Sequence, residues 1–204
     1  MKQTMLSIIS SMIDRVMNKV LAEDPLSIEG FHTQRRVYSA LVPNVIFKGS
    51  YFEQSFISVF SEALRDLAAV AARESIGHCE TKKTVFGVIR RNRLVRISEV
   101  LNRFEHQTQS KEQRHWPDWD AELAYILEGK GEKISTKVIV DVYAENSETG
   151  ERLAFELKAP LPNSDITKVS KEKLFKLYYI EPSMIDHAYY ALPYNPYNKR
   201  ENYN

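Results

Sequence analysis

The sequence predicts an α/β protein with a central mixed β-sheet flanked by helices. Three observations lead there. In 134–158, ISTKVIVDVYAENSETGERLAFELK, two apolar, β-branched runs flank a polar segment containing Asn146, Ser147 and Gly150, which reads as a β-hairpin. Stretches at 4–22, 51–76 and 165–180 repeat apolar residues at helical spacings of three and four. Prolines at 160 and 162 force the chain out of the sheet between the hairpin and the last of these helices.

Composition sets outer limits. The 204 residues suit one domain with an N-terminal helical part over about 1–80. Hydrophobic residues make up 43% of the chain, enough for a real core, and the net charge of +1 leaves any polyanion binding to local patches. The single cysteine, Cys79, excludes an internal disulfide and a cysteine-based zinc cluster, and suits a reducing cytoplasm. No apolar run approaches the ~20 residues of a membrane span. Only Lys2 precedes a helical pattern broken by Asp14 and Arg15, so no signal peptide is expected.

Along the chain, 4–22 is the clearest helix, with Met5, Ile8, Ile9, Met12, Ile13, Val16, Met17, Val20 and Leu21 forming one stripe. The segment 25–50 is irregular, broken by Pro25, Gly30, Pro43 and Gly49, and its Arg35 and Arg36 are either phosphate contacts or plain surface. The helix 51–76 has a wide apolar face from Phe52 and Phe56 to Ala71. Ser50 would cap it, with Glu53 at the capping-box position. The alternative for Glu53 is a carboxylate beside a metal site.

Segment 81–104 carries Lys82, Lys83, Arg90, Arg91, Arg93, Arg96 and Arg103 against one acid, Glu99. It reads as a short strand followed by a helix with Ser98 near its start. A run this one-sided suggests a surface that tracks phosphates, and arginine also supplies the fork that reads guanine. His106 and His115 lack metal-ligand neighbours and read as surface residues. A brief helix at 121–127 ends at Gly129, and the GKG at 129–131 lacks P-loop spacing. In 165–180, Ile166, Val169, Leu174, Leu177 and Tyr178 are expected to face inward. Lys168, Lys171, Lys173 and Lys176 are expected to face outward, extending the basic surface or solubilising it. A last strand-like run covers 188–192.

The chemistry concentrates in the hairpin. Alternation puts Ile134, Val138, Val140 and Val142 on one face, with Asp141 on the other beside Ile139 and Tyr143. Leu153, Phe155 and Leu157 share a face, and Glu156 and Lys158 share the opposite one. A turn centred near Ser147–Glu148 puts Asp141 almost opposite Glu156, within about 5 Å. Two carboxylates so placed give hard oxygen ligands suited to Mg²⁺. Lys158 could polarise or deprotonate a metal-bound water and stabilise charge developing on a phosphate. The alternative is a surface ion pair of Lys158 with Asp141 or Glu156, worth about 0–1 kcal/mol.

This arrangement resembles the D…(D/E)xK pattern of the nuclease superfamily of that name. Three blocks, SYFEQSFISVF at 50–60, FELKAPLPN at 155–163 and ALPYNPYNKRENY at 191–203, look like the TdeIII type II restriction endonucleases, a likeness running from about residue 25 to the end. The resemblance implies a restriction-endonuclease-like fold and a Mg²⁺-dependent enzyme that cleaves both strands of double-stranded DNA at a short palindrome of GG-x-CC type, leaving 5′-phosphate ends. Carried over by residue, Asp141 and Glu156 would hold the metal and Lys158 assist the water, with Glu53 at the acidic position of the FE-x-SF block. Arg90, Arg91, Arg93, Arg96, Asn163, Lys168 and Lys171 are the candidate DNA contacts, Asn163 matching the asparagine after the ELK strand. Ser164 and Asp165 stand where those relatives commonly have Gly-Gln. They also continue past the NPY block, so a chain shortened at its C-terminus is expected. Cutting a palindrome symmetrically needs two sites on a two-fold axis, hence a homodimer. The alternatives are a repair or nicking nuclease of the same superfamily, and an inactive remnant that binds DNA or protein.

Overall fold

The computed structural model describes residues 1–22, 40, 43–103, 116–160 and 162–195; Arg35, Arg36, His106, His115 and most of the 191–203 block lie outside them. Among the described residues the order is α1 (Lys2–Ala22), α2 (Asn44–Ser75), β1 (Gly77–Arg90), α3 (Arg91–Asn102), α4 (Trp119–Leu127), β2 (Lys133–Asn146), β3 (Arg152–Leu157), α5 (Ser164–Tyr179) and β4 (His187–Ala191). They fall into two compact units, Met1–Glu74 and Ser75–Asn204.

In the first unit α1 and α2 run antiparallel, the N-terminal ammonium reaching Glu74 and Arg15 reaching Glu62. The apolar stripe of α1 is narrower than its sequence suggests. Met5, Ile8, Met12 and Val16 turn inward along one line, while Leu6, Ile9, Ile13 and Met17 are exposed. Residues at i and i+1 are about 100° apart on a helix, so two adjacent apolar rows need not share one partner. α2 begins at Asn44, seven residues before the expected start, which puts Ser50 inside the helix and removes the capping-box reading of Ser50 and Glu53. Gly49 was the misleading signal. A Cβ there would meet nothing within 4 Å, so this exposed glycine costs the helix only its intrinsic propensity, about 1 kcal/mol. Phe52 and Phe56 are largely exposed rather than buried. They stack in series with Phe60 at 6.2 and 5.7 Å, while Tyr51, Ser55 and Ala63 form the buried line.

The second unit is the expected mixed sheet, ordered β1-β2-β3-β4, with β1–β2 and β2–β3 antiparallel and β3–β4 parallel. The parallel pair requires a crossover, which α5 supplies. Val85, Ile89, Val138, Val140, Tyr143, Ala154 and Ala188 from the strands pack with Ile97, Val100, Leu101, Ile126, Leu174, Phe175 and Leu177 from α3, α4 and α5. Phe175 is fully buried and stacks on Trp119 at 4.8 Å. Ile166 and Val169, expected inside, are exposed instead. Val169 lies about 140° round the helix from Leu174, whereas Ile166 shares the face of Ser170 and Leu177 but sits in the first turn, at the end of the helix.

Local chemistry sets the element ends. Asp118 caps α4 through Ala121 N at 3.0 Å, and Asn163 caps α5 through Ile166 N at 2.8 Å. α3 has no side-chain cap and starts at Arg91, well before Ser98; its first amides are satisfied by the carbonyls of Glu132 and Lys130. That contact needs Gly129, because a Cβ there would lie 2.6 Å from Arg93 N. The hairpin turn is held by Asn146 Oδ1, which accepts from Glu148 N and Thr149 N, and by Gly150 at φ +72°. Asn146 N pairs with Glu151 O, so the turn is centred on Glu148–Thr149, one residue later than expected.

Candidate active site

The β2–β3 ladder runs from Glu145↔Arg152 to Val142↔Phe155, and the same register puts Asp141 opposite Glu156. The ladder stops there. Asp141 Oδ2 accepts from Leu157 N at 3.0 Å, so a side-chain carboxylate closes the strand pairing. On its other side the β1–β2 register steps from Thr81↔Val142 to Lys83↔Val140, passing over Asp141 and over Lys82, whose φ is +53°. A lysine in the left-handed region is unusual and marks a local break in the pleat. Val138, Val140, Val142 and Ala144 are buried at every second position through this point, and Tyr143 is buried as well.

At this break the predicted centre assembles. Lys158 Nζ lies 2.6 Å from Glu156 Oε1 and 3.9 Å from Asp141 Oδ2. The Glu156 side chain is 4% exposed, which rules out the surface ion pair as a description of Glu156–Lys158. The sequence missed two further groups, both on α5. Lys173 Nζ contacts Glu156 Oε1 at 2.9 Å and Oε2 at 3.1 Å, and the buried Ser170 Oγ lies 3.5 Å from Oε1. Lys173 therefore points in, not out. The signal was present, because Ser170, Lys173, Leu174 and Leu177 share one helical face. Two carboxylates and two ammonium groups make the cluster electrically neutral.

Beside it, Lys83 ties to Glu80 at 2.7 Å and lies over the Tyr143 ring at 3.5 Å. Hydrogen bonds from Lys83 and then His78 hold the Glu80 carboxyl below its ordinary range. Burial, and then the hydrogen bond to Glu145, pushes the Tyr143 phenol up.

The donor set fits a hard divalent cation. Asp141 and Glu156 are the carboxylates that could hold such an ion; among the described residues no group of three acidic, histidine or cysteine side chains converges. Two carboxylates suit Mg²⁺, which gives up its hydration reluctantly and takes few protein ligands. The Lys158 ammonium already sits at a point that both carboxylates face.

The candidate DNA contacts are placed as follows. Arg90 and Arg93 converge on Glu181, at 3.8 and 3.3 Å, and Lys133 joins them at 2.8 Å. Lys133 first among these cations holds the Glu181 carboxyl below its usual range. Arg91 pairs with Glu132, and Arg96 with Glu128 at 2.8 Å. Lys168 donates to Asn102 Oδ1 at 3.1 Å, and the Asn163 side chain is the α5 cap. Lys171 forms a 2.6 Å ion pair, without hydrogen-bond alignment, with the buried Glu122. Lys176 pairs with Glu172. Glu53 lies exposed on α2, in the other compact unit.

The mixed sheet, its covering helices and the carboxylates at the end of its hairpin are consistent with a restriction-endonuclease-like fold. The family model for the type II restriction endonuclease HinfI matches residues 1–204, and the chain belongs to that family of DNA-cleaving hydrolases. The matching family is HinfI, so the likeness to TdeIII enzymes holds at the level of type II restriction endonucleases. Neither curated proteins nor solved structures gave a match. Among the described residues, no helix is long and apolar enough to cross a membrane.

Proposed function

We propose that this chain is a Mg²⁺-dependent type II deoxyribonuclease whose cleavage centre is Asp141, Glu156 and Lys158. The observation that carries the reading is the convergence of both carboxylates on one ammonium at the end of the β2–β3 ladder. Asp141 and Glu156 would hold the metal, which when bound supplies a water acidified toward neutrality and a polarised phosphate. Asp141 is fixed by Leu157 N, so its second oxygen is aimed by the main chain. Lys158 orients the attacking water and offsets the negative charge that grows on the phosphate as water adds and the bond to O3′ breaks. The products are a 5′-phosphate and a 3′-hydroxyl.

Glu53 is the candidate for a supporting acidic role. Arg90, Arg91, Arg93, Arg96, Asn163, Lys168 and Lys171 are the candidates for DNA contact; the arginines would exchange their internal acids for phosphates or base edges. A homodimer on a palindromic site is proposed because each chain carries one such centre. The GG-x-CC pattern implied by the TdeIII likeness is the first site to test.

The protein is incubated with Mg²⁺ and phage DNA beside Asp141→Asn, and fragment ends are sequenced. Discrete fragments that are lost in the variant support the reading, and the ends give the site. Smearing would replace it with a non-specific nuclease, and binding without cutting would defeat the catalytic assignment.

A further inference from the structure

Glu156 is held by more positive charge than the D…(D/E)xK pattern provides. We infer that Lys173 is a tethered cation that occupies Glu156 in the metal-free protein, and that a divalent metal ion and Lys173 compete for this carboxylate. The inference rests on the reading of Asp141 and Glu156 as the metal-holding pair.

A carboxylate this buried must be neutralised by a partner. Lys158 alone would cover Oε1, at 2.6 Å. Lys173 spans both oxygens, at 2.9 and 3.1 Å, so neither carboxylate oxygen lacks an ammonium. Lys173 is the more exposed of the two lysines, with 35% of its side chain open against 25% for Lys158. It reaches Glu156 from a helix, whereas Lys158 follows directly on strand β3. Lys173 is thus the cation that can withdraw into solvent without disturbing the sheet. It is a positioning residue, acting through Glu156.

Competition and simple orientation differ in sign. If Lys173 competes, removing its charge strengthens metal binding, because coupling between two ligands of one group is reciprocal. If Lys173 only aims the carboxylate, removing it weakens metal binding.

The test is calorimetric titration of Ca²⁺ alone, without DNA, into the full chain as wild type, Lys173→Gln and Lys173→Arg. Lys173→Gln is expected to bind Ca²⁺ on the order of tenfold tighter, from the loss of one nearby like charge. Lys173→Arg keeps the charge and is expected to bind no tighter than wild type. Unchanged or weaker binding by Lys173→Gln overturns the inference while leaving the metal site standing. Should Lys173→Gln fail to fold, Lys173→Met, which also removes the charge, replaces it: tighter binding supports the inference, and unchanged or weaker binding overturns it. A wild type that takes up no Ca²⁺ overturns the metal-site reading, and this inference with it.

Discussion

Replacing Asp186 with Asn tests how the sheet next to the candidate centre is held. Arg152 Nε and Nη2 grip the two Asp186 oxygens at 2.9 and 2.8 Å, and Arg152 N adds a third bond at 2.8 Å. These contacts tie the start of β3 to the segment that leads into β4, whose Ala191 O accepts from Lys158 N at 3.1 Å. The side-chain hydrogen bond from Arg152 is the main cause that lowers the Asp186 carboxyl from 3.8 to about 2. Unscreened, that difference corresponds to about 2.4 kcal/mol. The two side chains are 31% and 37% exposed, and solvent screening reduces the expected loss to about 1 kcal/mol at pH 7. Because the folded value is depressed, the contribution is complete above the unfolded value of 3.8 and is lost as pH falls toward 2. Urea unfolding of wild type and Asp186→Asn should therefore differ by about 1 kcal/mol at pH 7 and by about half that at pH 3. A difference that stays constant from pH 7 to pH 3 would refute the ionic account and leave only lost packing.

Two further outcomes follow from contacts in the same unit. Lys171→Met strands the Glu122 carboxylate in the core and should cost about 3 kcal/mol in urea unfolding, whereas Glu122→Leu with Lys171→Met should recover most of it. Gly129→Ala forces a methyl against the first turn of α3 and should cost about 1–3 kcal/mol; a neutral result would show that the loop yields.

The hairpin that carries the candidate site was legible because the alternation and turn that place it are local. Period-two alternation put Asp141 and Glu156 within reach of each other, and the turn centred on Glu148–Thr149, one residue later than expected, shifts the register by two and brings them directly opposite. What was hidden depended on distant partners. The arginine-rich run looked unbalanced because its acids, Glu128, Glu132 and Glu181, lie far along the chain and meet it only in three dimensions. Lys173 looked solvent-facing because a lysine among lysines reads as surface, although its spacing from Ser170 and Leu177 put it on the inner face. The start of α2 was lost to Gly49, whose breaking tendency the rest of a long helix outweighs.

The ladder break at Asp141 has a consequence for how loss of activity is interpreted. The oxygen that accepts from Leu157 N is also part of the group expected to meet the metal, so one residue serves both chemistry and strand closure. Truncating it to alanine would leave an amide donor bare at the mouth of the site and let the end of β3 drift, carrying Glu156 and Lys158 with it. A dead alanine variant would then say as much about architecture as about hydrolysis. Asparagine keeps the acceptor while removing the charge, and so separates the two duties.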